Sequence, residues 1–128
     1  MSTASEKSEL RKRYRFERRE RYLDHSFSYL ATSSEFSKAS AIASYISYGD
    51  EPNTKELNQA LLKSGKDLYL PRVNRADLEW VLWNGSSDQL AQSKLSKQLL
   101  EPTGVALTDL SLINLIVVPA LRIDRSGY

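Results

Sequence analysis

The sequence predicts an α/β domain, three layers deep (α/β/α), around a largely parallel sheet. Three observations carry this prediction. Short β-branched and apolar runs alternate along the chain with segments of helical periodicity, the pattern of strand–helix–strand units. The run "LIVV" at 115–118, stopped by Pro119, is apolar without alternation, as a strand covered on both faces must be. A length of 128 residues, 41% hydrophobic and 27% charged, suits one domain with a modest core. Residues 1–128 are therefore expected to form a single domain.

The segment "TASEKSELRKRYRFERRERYLDHSFSYL" (3–30) reads as one helix. Thr3 and Glu6 have capping-box spacing, and Phe16, Leu23, Phe27 and Leu30 make one helical stripe. "ATSSEFSKAS" holds a turn and a short helix. "AIASYIS" (41–47) reads as a strand of small and β-branched residues, and "YGDEPN" as a loop. Asn53 is placed to cap the next helix, with Glu56 three residues on. Leu57, Ala60 and Leu61 give that helix an apolar face, and Gly65 ends it. "DLYLP" is a strand expected to stop at Pro71. "LEWVLW" (78–83) is another, followed by the turn residues Asn84 and Gly85. "SSDQLAQSKLSKQLL" (86–100) reads as a weak helix, "EPTG" as a loop and "LINLIVVP" (112–119) as the last strand.

Composition excludes several function classes. Lys+Arg is 18 and Asp+Glu is 16, a net charge of +2 that does not by itself argue for nucleic acid. The absence of cysteine removes disulfides, thiolate zinc sites and a cysteine nucleophile. The polar N-terminus lacks a signal-peptide core and no apolar run approaches a membrane span, so a cytoplasmic protein without membrane contacts is expected. P-loop, GxGxxG, HExxH and GxSxG motifs are absent. His25 is the only histidine, so a multi-histidine metal site cannot be built.

Two features could carry chemistry. Asp50 and Glu51 follow a central strand, where α/β sites form. A carboxylate there accepts N–H donors, as a pterin-like ring requires; the plainer reading is an acidic loop favoured by the dipole of the following helix. The second feature is the basic run from Lys7 to Arg21. Such a helix binds phosphates of a nucleotide or of RNA, but Glu9, Glu17 and Glu20 offset it in an ordinary solvated face.

Five segments, in order, resemble the 5-formyltetrahydrofolate cyclo-ligase family, also called methenyltetrahydrofolate synthetase. They are "KSELR", similar to the family's K-x-x-L-R; "IASYISYGDEPNT"; "GKDLYLPRV"; "LLEPTG"; and "LINLIVVPALRIDRSGY", similar to D-L-I-I-V-P-G-L-A-F-D-x-x-G. Asn114 stands where that pattern has Asp, Ala120 where it has Gly, and Arg122 where it has a small residue. The resemblance implies a cyclo-ligase-like fold and ATP-dependent conversion of 5-formyltetrahydrofolate to 5,10-methenyltetrahydrofolate. Its cofactors would be ATP and Mg2+. Lys7 and Arg11 would contact ATP; Ile46 and Glu51 would contact the folate.

The family's next segment, R-L-G-x-G-x-G-Y-Y-D, wraps the ATP phosphates and does not occur in these 128 residues. About two-thirds of the family's domain is therefore expected here, with weakened catalysis and an exposed strand edge open to self-association. A folate-binding remnant without catalysis is the alternative. A nucleic-acid-binding protein using the Arg-rich helix ranks below both, because no aromatic stacking platform is evident.

Overall fold

The structure, a computed structural model, describes residues 4–22 and 25–119. Thr3, Leu23 and residues 120–128 of the final motif, Ala120 and Arg122 among them, lie outside those residues. The first helix, α1 (Ala4–Glu20), buries none of its side chains, and Phe16 is 62% exposed. The single long helix expected over 3–30 is thus corrected. Phe27 and Leu30 reach the core from a separate 3-10 turn, Ser28–Thr32. The Ser28 N–H donates to Ser26 Oγ (3.4 Å), a local serine turn that competes with helix. A short helix α2 (Ser34–Lys38) follows, as expected, with the Ser33 hydroxyl accepting from the Phe36 N–H.

The sheet is built around β1 (Ala41–Ala43). It runs parallel to β2 (Asp67–Asn74) on one side and to the last strand on the other, and β3 (Asp77–Trp83) pairs antiparallel with β2. The helix α3 (Lys55–Lys63) connects β1 to β2. Alternation along β1 and β2 divides the core. Ile42 and Leu68 face Leu57 and Leu61 of α3 and Phe36 of α2; Ala41, Ala43 and Tyr69 face Trp80, Leu107 and Ile113. The α/β class with a largely parallel sheet is therefore observed.

Three strand boundaries differ from expectation, that of the last strand among them. Pro71 does not stop β2, which continues to Asn74. Pro71 stands opposite Trp80, and the Trp80 carbonyl points away from β2 to accept from the Leu107 N–H (2.7 Å). Pro71 and Trp80 are thus a non-hydrogen-bonded pair. The missing Pro71 N–H is the next donor position toward β1, opposite the Ser44 carbonyl, so the parallel ladder ends there while the pairing with β3, which does not use that N–H, continues. The strand β1 is itself shorter than residues 41–47, for a reason taken up below.

The helix expected over 86–100 is a hairpin instead. A 3-10 turn, Ser87–Gln89, leads into β4 (Leu90–Gln92), which pairs antiparallel with β5 (Leu100–Pro102). Ser86, Ser93 and Ser96 each accept a backbone N–H two residues on, and these local bonds displace helix. Arg72 clamps the hairpin to the sheet. Its guanidinium donates to Glu79 Oε2 (2.9 and 3.0 Å) and to the carbonyls of Pro102 (3.1 Å) and Gly104 (2.7 Å). Arg72 and Asn74 hold the Glu79 carboxyl below the usual carboxylate range. From β5, Glu101 Oε2 accepts the Val73 N–H (2.8 Å).

The last described strand, β6 (Leu115–Ile116), ends the sheet in the order β3-β2-β1-β6 and is shorter than the expected 112–119, since Leu110–Leu112 form a 3-10 turn; it is not covered on both faces, with Ile116 53% and Val118 69% exposed. Asn114 seats it: its Oδ1 accepts from the Ser40 N–H (2.9 Å), the Ala41 N–H (3.0 Å) and the Ser40 hydroxyl (2.9 Å). An amide oxygen thus does here what a carboxylate oxygen would do. Among the described residues, no helix is long and apolar enough to cross a membrane.

Leu61 is fully buried beneath the sheet. Leu61→Ala should cost about 2–5 kcal/mol in urea denaturation. Leu110→Ala, at a 55% exposed position, should stay within about 0.5 kcal/mol. Equal effects would contradict this placement of the core.

Candidate functional site

The site begins where β1 stops. The Ser44 N–H donates the last bond across to β2, at the Tyr69 carbonyl (2.9 Å). The Tyr45 carbonyl has no strand to bond and accepts two side-chain donors instead, Thr54 Oγ1 (2.6 Å) and Asn58 Nδ2 (2.9 Å). Ser44 completes the network by donating to Asn58 Oδ1 (2.7 Å). Ser44, Thr54 and Asn58 are all buried, and no buried side-chain polar atom among the described residues lacks a partner. These bonds explain the short β1: polar side chains from the far end of the loop replace the ladder.

The loop is closed by a reciprocal clasp. The Thr54 N–H donates to Ser47 Oγ (3.1 Å), and the Ser47 N–H donates to Thr54 Oγ1 (3.3 Å). Because its hydroxyl is used this way, Thr54 does not cap α3 with its side chain. The N-cap position is Thr54 and not the expected Asn53, which stands one residue earlier and accepts the Lys55 N–H at 2.9 Å. Between the clasped ends runs a tight turn, with the Glu51 N–H donating to the Tyr48 carbonyl (3.3 Å). Gly49 takes φ +62°, a conformation that disfavours a side chain. Glu51 Oε1 accepts the Tyr48 N–H (3.1 Å), which fixes the carboxylate over its own turn.

Three cavities meet at this turn, and Tyr48 and Glu51 line all of them. The first, about 500 Å3, extends to the start of α3 and to Trp83. The second, about 320 Å3, lies past the carboxyl ends of β1 and β6, where open α/β sheets bind ligands; Leu70, Trp80, Leu99 and Val117 wall it. Ile46 lines both. The third, about 380 Å3, is charged and lined by Arg15, Arg18, Asp50 and Glu51. Arg18 Nη2 and Nε donate to Asp50 Oδ1 (2.8 and 3.1 Å), which ties α1 to the turn.

The structure thus places Ile46 and Glu51 on the same two cavities. It does not bring Lys7 and Arg11 to them. Both are exposed on α1 and line none of the three cavities; Lys7 lies about 16 Å along the helix axis from Arg18. Asp50, paired with Arg18, serves the loop rather than standing open. Sequence reasoning missed Tyr45, Thr54 and Asn58, whose roles depend on the chain folding back. It also missed Arg18, one cation among many in the helix. Among the described residues, no three His, Cys, Asp or Glu side chains are grouped to hold a metal ion.

Comparison with known proteins identifies the fold's lineage. The model of the 5-formyltetrahydrofolate cyclo-ligase family matches residues 3–128. The chain belongs to that family. No curated protein matches it at a significant level. Among solved structures, it is similar to the NMR structure of Aquifex aeolicus 5,10-methenyltetrahydrofolate synthetase. That match has a TM-score of 0.76 and 26% identity, and it covers 95% of this chain and 64% of that chain. This cyclo-ligase family member therefore spans less than two-thirds of that neighbour's length.

Burial, reinforced by the negative Glu51, pushes the Tyr45 phenol up to about 12, with Arg18 opposing. Its O–H donates to the Pro52 carbonyl (2.8 Å), so the loop requires the proton. The folded state holds that proton more tightly than an unfolded chain, whose ordinary value is 10.0. The contribution of Tyr45 to stability should therefore be constant below about pH 10 and be lost as pH rises toward 12. Tyr45→Phe should lose about 1 kcal/mol at neutral pH and show a shallower alkaline fall in denaturant titrations. Identical alkaline slopes in both proteins would contradict the assignment.

Proposed function

We propose that this chain carries the folate-binding part of an ATP-dependent 5-formyltetrahydrofolate cyclo-ligase, acting in folate one-carbon metabolism in the cytoplasm. The observation that carries the reading is the convergence of Ile46 and Glu51 on adjoining cavities past the carboxyl ends of β1 and β6. These are the two positions that resemble substrate contacts of the family. Similarity to a methenyltetrahydrofolate synthetase structure supports the same reading.

The chemistry asked of the complete enzyme is phosphoryl transfer followed by ring closure. The formyl oxygen attacks the terminal phosphorus of ATP, and the bond to ADP breaks. The formyl carbon, now activated, is attacked by the second folate nitrogen. Its bond to oxygen breaks, phosphate leaves with that oxygen, and the attacking nitrogen gives up its proton to the phosphate or to solvent. Such a reaction rests on positioning and charge neutralisation more than on covalent help from the protein.

In this scheme Glu51 accepts N–H donors of the folate head group, its orientation set by the Tyr48 amide. Ile46 packs against the ring system. Lys7 and Arg11, exposed cations without a partner among the described residues, suit the phosphates of ATP. In this reading magnesium enters bound to the phosphates of ATP.

The polypeptide of residues 1–128 contains no R-L-G-x-G-x-G segment, and we propose that by itself it binds folate but turns over poorly. Calorimetry should show 5-formyltetrahydrofolate binding that Glu51→Gln weakens by about tenfold, the effect of removing a charged hydrogen-bond acceptor. With MgATP, near-ultraviolet absorbance of the methenyl product should stay at the blank. Turnover above blank would refute the impairment, and absence of folate binding would refute the folate reading.

A further inference from the structure

Four cations of α1 share one stripe, while Arg13 lies among the acidic residues and pairs with Glu17. At 3.6 residues per turn, Lys7, Arg11, Arg15 and Arg18 fall within about 80° of arc, spaced four, four and three apart. Glu6, Glu9, Glu17 and Glu20 fall on the opposite side of the helix. Two observations fix which way the cationic stripe faces. Arg18 is bonded to Asp50 beside the Glu51 turn, and Arg15 lines the charged cavity with Arg18, Asp50 and Glu51.

Within that cavity the groups are not equally committed. Arg18 and Asp50 neutralise each other at 2.8 Å, and Glu51 Oε1 is engaged by the Tyr48 amide. Arg15 has no hydrogen-bond or ion-pair partner among the described residues. An uncommitted guanidinium beside a carboxylate suits a ligand, or a pair of ligands, presenting N–H donors and an anionic group side by side.

We infer that Arg15 is an anion-binding residue of this site, holding carboxylate or phosphate oxygens next to the folate head group at Glu51. The inference rests on the proposed function for what occupies Glu51, but the anion site itself stands on the geometry of the charged cavity. Two sources share the chemistry: the terminal phosphates of the nucleotide and the glutamate carboxylates of the folate.

The test uses the 128-residue chain and three probes in calorimetry: inorganic tripolyphosphate, 5-formyltetrahydrofolate, and 5-formyltetrahydropteroate, which lacks the glutamate. Arg15→Gln is compared with Arg15→Lys and with Arg13→Gln, an equal charge change at an exposed position on the opposite side of the helix. Arg15→Gln should weaken one anionic probe by about tenfold, Arg15→Lys should restore part of the loss, and Arg13→Gln should stay within about twofold. Loss confined to tripolyphosphate assigns the phosphate source. Loss for the folate but not for the pteroate assigns the glutamate. Equal losses in Arg15→Gln and Arg13→Gln, or none, would overturn the inference. So would failure of the unaltered chain to bind any of the three probes. Arg15-dependent tripolyphosphate binding without folate binding would instead refute the folate reading and leave the anion site standing.

Discussion

The Tyr45 carbonyl is the point on which the candidate site depends. A buried carbonyl left without a donor costs about 1–3 kcal/mol, and at Tyr45 the sheet no longer supplies one. Thr54 and Asn58 supply it from across the loop. That requirement folds residues 44–54 back on themselves and brings the start of α3 against the end of β1. The turn at Tyr48–Glu51 is then confined to the top of the sheet. Glu51 owes its place to these bonds more than to anything it touches itself. The network is polar, buried and fully satisfied, the condition under which such a network specifies one conformation.

Charge does for α1 what apolar burial does for α3. Leu57 and Leu61 anchor α3 in the core, whereas α1 buries no side chain and meets the turn through Arg18 and Asp50. A half-buried pair with two donors on one oxygen is stronger than a surface contact, yet it is more sensitive to salt than packed leucines are. The helix that presents the cationic stripe is therefore attached at the residue next to Glu51. The hairpin β4–β5 is attached on the other side by Arg72, which spans Glu79 and two carbonyls beyond Glu101. Ionic bonds at both margins thus hold the walls of cavities whose floor is apolar.

What could be read from the sequence follows the range of the interactions involved. The apolar face of α3, its end near Gly65, the strand from Asp77 and the last strand depend on neighbours close in sequence, and periodicity found them. Placement of Glu51 past a central strand was legible for the same reason. Pro71 misled because its missing N–H interrupts the pairing with β1 and not the pairing with β3. The serines at 86, 93 and 96 misled because their local bonds outcompete a helical pattern that was weak. Asn58 left no mark, since a polar residue beside Leu57 looks like the solvent side of a helix until Ser44 and Tyr45 are brought to it.

The central claim is that the Thr54–Asn58 network on the Tyr45 carbonyl, rather than Glu51 alone, builds the folate site. Thr54→Val keeps the shape of the side chain and removes the hydroxyl from Tyr45 and Ser47. The decisive measurement is the affinity of this variant for 5-formyltetrahydrofolate, under conditions where near-ultraviolet circular dichroism shows it folded. The account predicts a loss of about tenfold or more with Glu51 untouched. Unchanged affinity in the folded variant would contradict it.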